Sequence, residues 1–307
     1  AGPKADFNVI PVPRTICAGT SAPFVLDSNT KIYYEEGQKR NAAFLQQYIT
    51  DITGIVPELT DRPRKRGTIS LRVKDTSSDA EGYTLTVDKK NIHIVGNSPA
   101  GVFYAIQTLR KALPAGQASE VEIPSCIVED SPRFAYRGVH LDVVRHFFPV
   151  DSVKRYIDII ALHNVNRFHW HLTDDQGWRV EIKSRPRLTS VGAYRKQTAG
   201  DGTPHGGFYT QDEIRDIIRY AQERYITIIP EIDIPGHSAA ALASYPEIGC
   251  TGGPYEVCEV WGGPADVLCA GKDETMQFLQ DVFTEIAGLF PSQYIHLSLI
   301  HISEPTR

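Results

Sequence analysis

The sequence predicts an α/β protein in which an N-terminal α+β domain is followed by a (β/α)8 TIM barrel, with only about the first half of the barrel present. In residues 1–130, short strand patterns alternate with two amphipathic helix patterns, which is typical of a sheet covered by helices. From residue 131 onward, strand and helix patterns alternate regularly, as in parallel βαβ units. One of these strands, ITIIPEI, is almost wholly apolar, as expected of a strand covered on both faces.

Hydrophobic periodicity places the elements of the N-terminal region. The predicted strands are Lys31–Tyr34, Thr68–Val73, Tyr83–Val87 and Ile92–Val95. The predicted helices are Asn41–Ile52 and Ala100–Leu113. We find no catalytic constellation in this region of the sequence.

The same periodicities place the elements of the second region. The predicted strands are Val139–Val143, Phe168–Thr173, Ile226–Ile232 and Tyr294–Leu297, and the predicted helices are Val153–His163, Gln211–Arg224 and Thr275–Leu289. Parallel strands of this kind form either a barrel or a doubly wound sheet. No G-x-G-x-x-G turn follows the first strand, which favours the barrel. Because a complete barrel has eight strands and about 250 residues, the predicted strands account for about half of one.

Composition restricts the classes of function. The chain has 307 residues, of which 41% are hydrophobic and 22% charged, as in ordinary globular proteins. Its net charge of −5 favours neither nucleic acid nor an anionic membrane as a partner. No apolar run approaches the roughly 20 residues of a membrane span. The five cysteines include no C-x-x-C pair, and we expect neither a metal nor another cofactor.

Two of the cysteines flank a loop that is rich in glycine and proline. They are Cys250 and Cys258. They form either a disulfide or, alternatively, two unpaired buried thiols.

Three predicted strand ends carry ionisable side chains. They lie in the segments YRGVHLDVVRHFFP (136–149), HLTDDQGW (171–178) and PEIDIPGH (230–237). In the third, the turn at Pro235–Gly236 lets His237 fold back beside Asp233. A carboxylate beside an imidazole fixes its tautomer and suits proton handling. The structural alternative is a helix N-cap, a role that we assign to Ser238.

The second segment has two interpretations. Asp174 and Asp175 are either functional acids or loop partners of Arg179. Trp178 either stacks on a sugar or fills the mouth of the barrel. The strand end favours function for the acids, because barrel enzymes keep their chemistry at the carboxyl ends of their strands.

Two histidines and one arginine in these strands also have both a functional and a structural interpretation. His169 and His171 share one strand face, but a metal site would require further ligands, so structural histidines in a hydrogen-bond network are favoured. Arg137 opens a strand, where a guanidinium can bind two hydroxyls or a carboxylate. Its structural alternative is a salt bridge.

Together, the segments YRGVHLDVVRHFFP, NRFHWHLTDDQGWRVEIKSRPRLTSVGAYR and GGFYTQDEIRDIIRYAQERYITIIPEIDIPGH resemble the β-N-acetylhexosaminidases of glycoside hydrolase family 20. The resemblance runs from about Ser131 to Leu297, and the preceding region is similar to the small α+β domain of that family. It implies hydrolysis of terminal non-reducing N-acetyl-D-hexosamine residues with retention, in which the substrate's own 2-acetamido group is the nucleophile.

The resemblance also implies roles for individual residues. Arg137 would bind sugar hydroxyls in the innermost subsite. Asp174 would contact the substrate and support the catalytic groups. Asp233 and His237 would form a supporting pair beside the proton donor.

The resemblance ends at Leu297. Family members carry an Asp-Glu pair in a segment of the form H-x-G-G-D-E after this strand, where the Asp orients the acetamido group and the Glu is the general acid/base. Here YIHL is followed by SLIHISEPTR. We therefore expect three regions, 1–130, 131–297 and a foreign tail at 298–307, and an inactive chain.

Two other functions are considered. One is a non-catalytic carbohydrate-binding remnant of the same fold. The other is a different barrel glycosidase such as a chitinase, against which the lack of a D-x-x-D-x-D-x-E run argues. The expected partner is a glycan with terminal GlcNAc or GalNAc, and the choice of sugar and the oligomeric state stay open. The family implies a periplasmic or secreted location, although the N-terminus shows no signal pattern.

Overall fold

A computed structural model describes residues 2–74 and 79–298 of the chain. The chain divides into two compact units. Unit 1 extends to Arg137 and includes residues 160–164, whereas unit 2 contains residues 138–159 and the chain from Val165 onward. The division lies close to the predicted boundary after residue 130. Most of the predicted foreign tail, residues 299–307, lies outside the described residues. Among the helices described, none is long and apolar enough to cross a membrane.

Unit 1 is built on a mixed β-sheet with two helices. Its elements are β1 (Thr15–Ala18), β2 (Phe24–Asp27), β3 (Lys31–Tyr34), α1 (Lys39–Thr53), β4 (Glu58–Thr60), β5 (Thr68–Val73), β6 (Tyr83–Val87), β7 (Asn91–Gly96), α2 (Pro99–Ala112), β8 (Glu120–Ile123) and β9 (Cys126–Asp130). Seven strands form one sheet in the order β1-β9-β6-β7-β5-β3-β4, and β2 pairs with β8. The predicted α+β domain, with its four strands and two helices, is confirmed.

Helix α2 packs very closely against the sheet of unit 1. Its N-cap is Ser98, whose hydroxyl accepts hydrogen bonds from the amides of Ala100 and Gly101. A Cβ atom at Gly101 would lie only 2.2 Å from the carbonyl oxygen of Gly82. Glycine is therefore required at this position because the helix backbone and the sheet touch directly.

Unit 2 contains the parallel strands and their crossover helices. Its elements are β10 (Gly138–Asp142), α3 (Val150–Leu162), β11 (Arg167–His171), β12 (Thr173–Asp174), β13 (Gly177–Trp178), α4 (Arg187–Ser190), β14 (Tyr194–Arg195), β15 (His205–Gly206), α5 (Gln211–Gln222), β16 (Thr227–Glu231), α6 (Ala239–Ser244), a 3-10 turn (Pro246–Ile248) and α7 (Asp273–Leu289).

The central strands of unit 2 follow one another in chain order. Strands β10, β11 and β16 form a parallel sheet in that order, and His296 continues it through a single parallel bridge to Glu231. A helix lies between each strand and the next, which is the pattern of a partial (β/α) barrel. The predicted strand Tyr294–Leu297 is reduced to this one bridge within the described residues.

The cysteines near the end of unit 2 do not pair as the sequence suggested. All five cysteines of the chain lie in the described residues, and each has a free thiol. The Cys258 thiol donates to the carbonyl oxygen of Val260. The antiparallel bridge between Gly249 and Leu268 instead brings Cys269 to Cys250, and the Cys269 thiol raises the pKa of Cys250. The disulfide alternative for Cys250 and Cys258 is therefore wrong in this structure, and the two unpaired thiols are not buried, since Cys250 is exposed and Cys258 partly exposed.

Helix α5 is held at its start by a capping box. The Thr210 hydroxyl accepts a hydrogen bond from the amide of Glu213 at 3.2 Å, and the Glu213 carboxylate accepts one from the amide of Thr210 at 2.8 Å. Two amides that the helix leaves unpaired are thereby satisfied.

We predict that Thr210→Ala lowers the free energy of unfolding by about 1 kcal/mol, because it leaves one of these amides without its acceptor. Urea denaturation followed by circular dichroism measures the change. Thr203→Ala, at an exposed loop position, is the matched control. Equal unfolding midpoints for the two variants would contradict the capping role.

Candidate active site

The carboxyl ends of the parallel strands bring ionisable side chains together. The register places Asp142 beside His171, and His171 beside Glu231. We use the name carboxyl-edge cluster for the ionisable side chains at and just beyond these strand ends, which are Asp142, Arg145, His171, Asp174, Asp175, Glu231, Asp233 and His237. All three predicted segments contribute to it, as the barrel interpretation requires.

Asp174 lies at the centre of this cluster. Its side chain is almost completely buried. One carboxylate oxygen, Oδ2, lies 2.8 Å from Nη2 of Arg145 and 2.8 Å from Nε2 of His171. The other, Oδ1, accepts a hydrogen bond from the amide of Asp175 at 2.7 Å and lies 3.1 Å from Nδ1 of His237. These contacts replace the water that burial removes from the carboxylate.

His237 is oriented by two carboxylates. Its backbone is in the left-handed region, with φ at 50°, an uncommon conformation for a residue other than glycine. Its Nδ1 lies 3.1 Å from Oδ1 of Asp174 and 3.1 Å from Oδ2 of Asp175. These two acids take the orienting role that the sequence interpretation gave to Asp233.

Asp233 supports the cluster in another way. Its backbone amide donates a hydrogen bond to the hydroxyl of Thr173 at 2.9 Å. A carboxylate oxygen of Asp233, an imidazole nitrogen of His171 and a carboxylate oxygen of Asp174 all lie within 4.8 Å of one another. Burial, reinforced by the charge of Asp174, raises the pKa of Asp233 to about 7. Asp233 therefore changes its charge near neutral pH.

The amide at the start of α6 is satisfied by Asp175, not by Ser238. The Asp175 carboxylate accepts a hydrogen bond from the amide of Ala239 at 3.0 Å. The Ser238 hydroxyl donates instead to the carbonyl oxygens of Asp233 and Gly236. The predicted Ser238 cap is wrong, because the hydroxyl turns back onto its own loop. Burial raises the pKa of Asp175.

The strand histidines form a hydrogen-bond network around Glu231. The His169 ring bonds to the Glu231 carboxylate, and Nδ1 of His171 lies 2.8 Å from it. Burial alone would lower the pKa of His171, but its bonds to Asp174 and Glu231 raise it to about 10. The interpretation of His169 and His171 as networked structural histidines is confirmed.

Two sets of donors around Glu231 have the composition of metal sites. His140 and His171 form one set with Glu231, and His169 and His296 form the other, each within 4.8 Å. In both, the imidazoles already face the carboxylate as hydrogen-bond or ion-pair partners. The expectation of no metal stays a prediction.

Arg137 does not lie at the carboxyl edge. It precedes the first residue of β10, and its guanidinium donates to the carbonyl oxygens of Asn164 at 2.7 Å and Phe134 at 2.8 Å. It also forms an ion pair with Glu81. The structure therefore supports the salt-bridge alternative for Arg137, because the carboxyl-edge cluster lies beyond the opposite end of this strand.

Arg145 is the arginine at the carboxyl edge, whereas the sequence interpretation had singled out Arg137. Its guanidinium contacts Asp142 at 2.5 Å and Asp174 at 2.8 Å, and its Nε donates to the Gln176 side chain at 2.8 Å. Burial alone would raise the pKa of Asp142, but the hydrogen bond from Arg145 brings it below its ordinary value. The signal was available in the sequence, since Arg145 follows the strand end whereas Arg137 precedes the strand.

Trp178 and Arg179 are part of the core. The Trp178 side chain is 2% exposed and donates to the carbonyl oxygen of Val180, so the sugar-stacking alternative is wrong. The guanidinium of Arg179 is fully buried and donates to four backbone carbonyl oxygens, those of Val143, Val144, Ala193 and Gly207. The Arg179 guanidinium therefore binds backbone carbonyl oxygens and is not the ion-pair partner of Asp174 or Asp175.

The raised pKa of Asp233 predicts how stability depends on pH. Folding favours the protonated acid, so its stabilisation is complete below the unfolded-state pKa of about 4 and is lost as the pH rises through about 7. We predict that Asp233→Asn, which cannot ionise, is more stable than the unmodified chain at pH 8 by about 1 kcal/mol or more, with little difference at pH 4.

Urea unfolding at a series of pH values measures this difference. Asp266→Asn, at an exposed position, is the control and should show no such growth in stability with pH. A constant difference between the Asp233 variant and the unmodified chain from pH 4 to pH 8 would refute the prediction.

Two family models match this chain. Residues 134–298 match the family model described as the catalytic domain of glycosyl hydrolase family 20. Residues 6–131 match the one described as domain 2 of the same family. Together the two matches cover most of the chain.

Individual relatives are similar over nearly the whole chain. A β-hexosaminidase from Porphyromonas gingivalis is 41% identical over 313 residues, covering 95% of this chain and 38% of that protein. A β-N-acetylhexosaminidase from Cellulomonas fimi is 35% identical, covering 95% of this chain and 59% of that protein. The chain thus spans between about two fifths and three fifths of the length of these relatives.

Solved structures share the fold. The family 20 β-N-acetylhexosaminidase of Streptomyces coelicolor A3(2) superposes with a TM-score of 0.87 at 38% identity, covering 94% of this chain and 59% of that one. A mutant Streptomyces plicatus β-hexosaminidase in complex with its product, GlcNAc, has the same TM-score and identity, and 58% of it is covered. The chain therefore belongs to glycosyl hydrolase family 20, the β-N-acetylhexosaminidases, and comprises the family's domain 2 followed by part of its (β/α) catalytic domain.

Proposed function

We propose that the carboxyl-edge cluster is the supporting part of an active site that hydrolyses terminal non-reducing N-acetyl-D-hexosamine residues from N-acetyl-β-D-hexosaminides. The observation that carries this proposal is the contact of one buried carboxylate, that of Asp174, with both Arg145 and His237. The Asp174 carboxylate thereby holds two groups in fixed positions: a guanidinium that can bind hydroxyls and an imidazole that can donate or accept a proton. The similarity to β-hexosaminidases, one of them solved with GlcNAc, supports this substrate class.

Arg145 is the residue to which we assign recognition of the sugar hydroxyls, together with Asp174. About a quarter of the Arg145 side chain is exposed, while Asp142, Asp174 and Gln176 fix its orientation. A planar guanidinium held in this way can donate to two neighbouring hydroxyls at once. Little side-chain entropy remains to be lost when sugar binds, because the protein has already fixed the donor.

His237 is the residue to which we assign support of the catalytic acid. The two carboxylates at Nδ1 favour the tautomer with its proton on that nitrogen, so His237 would act on the acid through Nε2. The acid must first protonate the leaving group and then activate water. A neighbouring imidazole that is itself tied to carboxylates can adjust the pKa of the acid between these steps.

The reaction that we propose proceeds with retention and uses the substrate's own acetamido group. The acetamido oxygen attacks the anomeric carbon while the leaving oxygen takes a proton, and water then opens the resulting oxazolinium ion. Such a mechanism needs one protein acid/base and one group that orients the acetamido, in place of the usual pair of catalytic carboxylates.

We further propose that the 307-residue chain is inactive by itself. By resemblance to the family, an acetamido-orienting Asp and a general-acid Glu would be expected after YIHL, and the residues that follow here, SLIHISEPTR, include no such pair. Each of these two effects typically contributes a factor of about 10² or more to the rate.

An activity assay with a chimera tests both proposals. Residues 1–297 would be joined to the part of the Porphyromonas gingivalis β-hexosaminidase that follows the equivalent strand. We predict that the chimera releases p-nitrophenol from p-nitrophenyl N-acetyl-β-D-glucosaminide and that the 307-residue chain does not. In the chimera, His237→Ala should lower kcat by about 10² with a smaller change in KM.

His163→Ala, at an exposed position, is the matched control and should leave kcat unchanged. Turnover by the 307-residue chain at the rate of the chimera would contradict the proposed inactivity. A folded chimera that binds GlcNAc without hydrolysing the substrate would favour the alternative of a carbohydrate-binding remnant.

A further inference from the structure

A strongly basic surface lies on unit 1, where two loops of the seven-stranded sheet meet. Residues 61–67, DRPRKRG, join β4 to β5, and residues 88–90, DKK, form the turn between β6 and β7. These segments carry six basic and two acidic side chains, in a chain whose net charge is −5. We use the name basic patch for the six basic side chains, which are Arg62, Arg64, Lys65, Arg66, Lys89 and Lys90.

Hydrogen bonds from the sheet hold the two loops together. The amide of Gly67 donates to the carbonyl oxygen of Lys90 at 2.8 Å. The buried side chain of Asn91 accepts from the hydroxyl of Thr68 at 2.8 Å and donates to the carbonyl oxygen of Lys65 at 3.1 Å. The backbones of both loops are therefore fixed against each other, and the basic patch is one surface.

The protein does not neutralise the basic patch. All six side chains are exposed, and within the described ranges 2–74 and 79–298 none of them forms a side-chain hydrogen bond or an ion pair. The Asp88 carboxylate accepts from backbone amides of its own turn. Glu58 is bound by Lys31 at 2.5 Å, and this bond, together with the charge of Arg64, lowers the pKa of Glu58. Because cations held close together repel one another, an anionic ligand that neutralises them is favoured.

The composition of the two loops distinguishes among polyanions. Surfaces that bind single-stranded nucleic acid combine cations with aromatic side chains, and membrane-surface segments combine cations with apolar side chains that insert. Residues 61–67 and 88–90 contain no aromatic residue, and glycine and proline are their only uncharged residues. Three of the six cations are arginines, whose guanidinium can bind two oxygens of one oxyanion at once. The patch therefore fits a chain that carries separate oxyanion groups.

A groove next to the basic patch adds contacts for sugar rings. Arg62 and Arg64 line it together with Tyr34 and Thr60, both of which are half-buried. An aromatic ring offers area for the apolar face of a sugar, and a hydroxyl offers a hydrogen bond. The groove therefore suits the sugar rings that lie between the anionic groups of a glycan.

We propose that the basic patch and this groove bind an anionic glycan, a sugar chain that carries sulfate or carboxylate groups. The choice of a glycan over an acidic peptide rests on the groove and on the proposed function, which makes sugar chains the substrates of the site in unit 2. Several weak charge contacts along one chain add up to useful affinity. Unit 1 would thereby favour hexosaminides with anionic groups over neutral ones.

Binding of a defined anionic glycan to the 307-residue chain tests this inference. The probe is a chondroitin sulfate octasaccharide, which carries sulfate and carboxylate groups along its length, and isothermal titration calorimetry measures its affinity. Raising the NaCl concentration from about 50 to about 200 mM should weaken binding by about tenfold or more. The double variants Arg64→Glu/Lys65→Glu and Lys89→Glu/Lys90→Glu should each weaken binding by about tenfold or more as well.

The double variant Arg155→Glu/Lys183→Glu is the matched control. It changes the net charge by the same amount as each patch variant, at exposed positions of unit 2. Its affinity for the octasaccharide should stay within about twofold of that of the unmodified chain, because distant exposed charges are screened. Circular dichroism checks that all three variants are folded. Since the two patch variants alter different loops, each tests the patch independently of the other.

Two results would overturn the inference. One is an octasaccharide affinity that is the same in both patch variants as in the control. The other is tighter binding of the unmodified patch to single-stranded oligothymidylate or to polyglutamate than to the octasaccharide, which would assign the patch to another class of polyanion.

The proposed function is tested separately by the chimera. Hydrolysis of the p-nitrophenyl substrate by the chimera, with no binding of the octasaccharide to the 307-residue chain, would contradict the glycan site alone. Binding of the octasaccharide at the basic patch, with no hydrolysis by the folded chimera, would contradict the proposed function and leave the glycan site in place.

Discussion

The arrangement of the carboxyl edge depends on one buried carboxylate, that of Asp174. Arg145 arrives from the loop after β10, His171 from the end of β11 and His237 from the turn after β16, and all three contact Asp174. A buried carboxylate needs such partners, and the partners lose their acceptor without it. The positions of three separate segments are therefore fixed by a single side chain, which explains how loops without regular structure hold a defined geometry.

A second buried charge holds the backbone that carries these groups. Arg179 donates to the carbonyl oxygens of Val143 and Val144, the residues that directly precede Arg145. A Cβ atom at Gly177 would lie 2.6 Å from the guanidinium carbon of Arg179, so the turn before Trp178 requires glycine. Burial lowers the pKa of Arg179 to about 10, which still leaves it charged at neutral pH. Within the RFHWHLTDDQGWR segment, Trp178 and Arg179 thus lie in the core, whereas His171, Asp174 and Asp175 belong to the carboxyl-edge cluster.

The proposed roles follow from this geometry. Arg145 lies on Oδ2 of Asp174, where its guanidinium can donate hydrogen bonds to the hydroxyls of a terminal sugar. His237 lies on Oδ1, the other oxygen of Asp174, where it can influence a catalytic acid. The Asp175 carboxylate contacts His237 and caps α6, and the Asp175 carbonyl oxygen accepts a hydrogen bond from the amide of Cys258. Family membership indicates the reaction class, and these contacts indicate how the described residues would serve it.

The sequence by itself determined the elements, the parallel order of the strands and the family, because hydrophobic periodicity and contiguous motifs are local properties. It also located the three strand ends, since a strand's direction fixes which residues follow it. It did not determine that Asp174 and Asp175, some sixty positions from His237, orient its ring. Nor did it determine that Arg145, and not Arg137, lies at the carboxyl edge, or that Trp178 is buried while Trp261 is exposed. These pairings were decided by strand register and loop packing, which join residues distant in the chain and leave no periodic pattern in it.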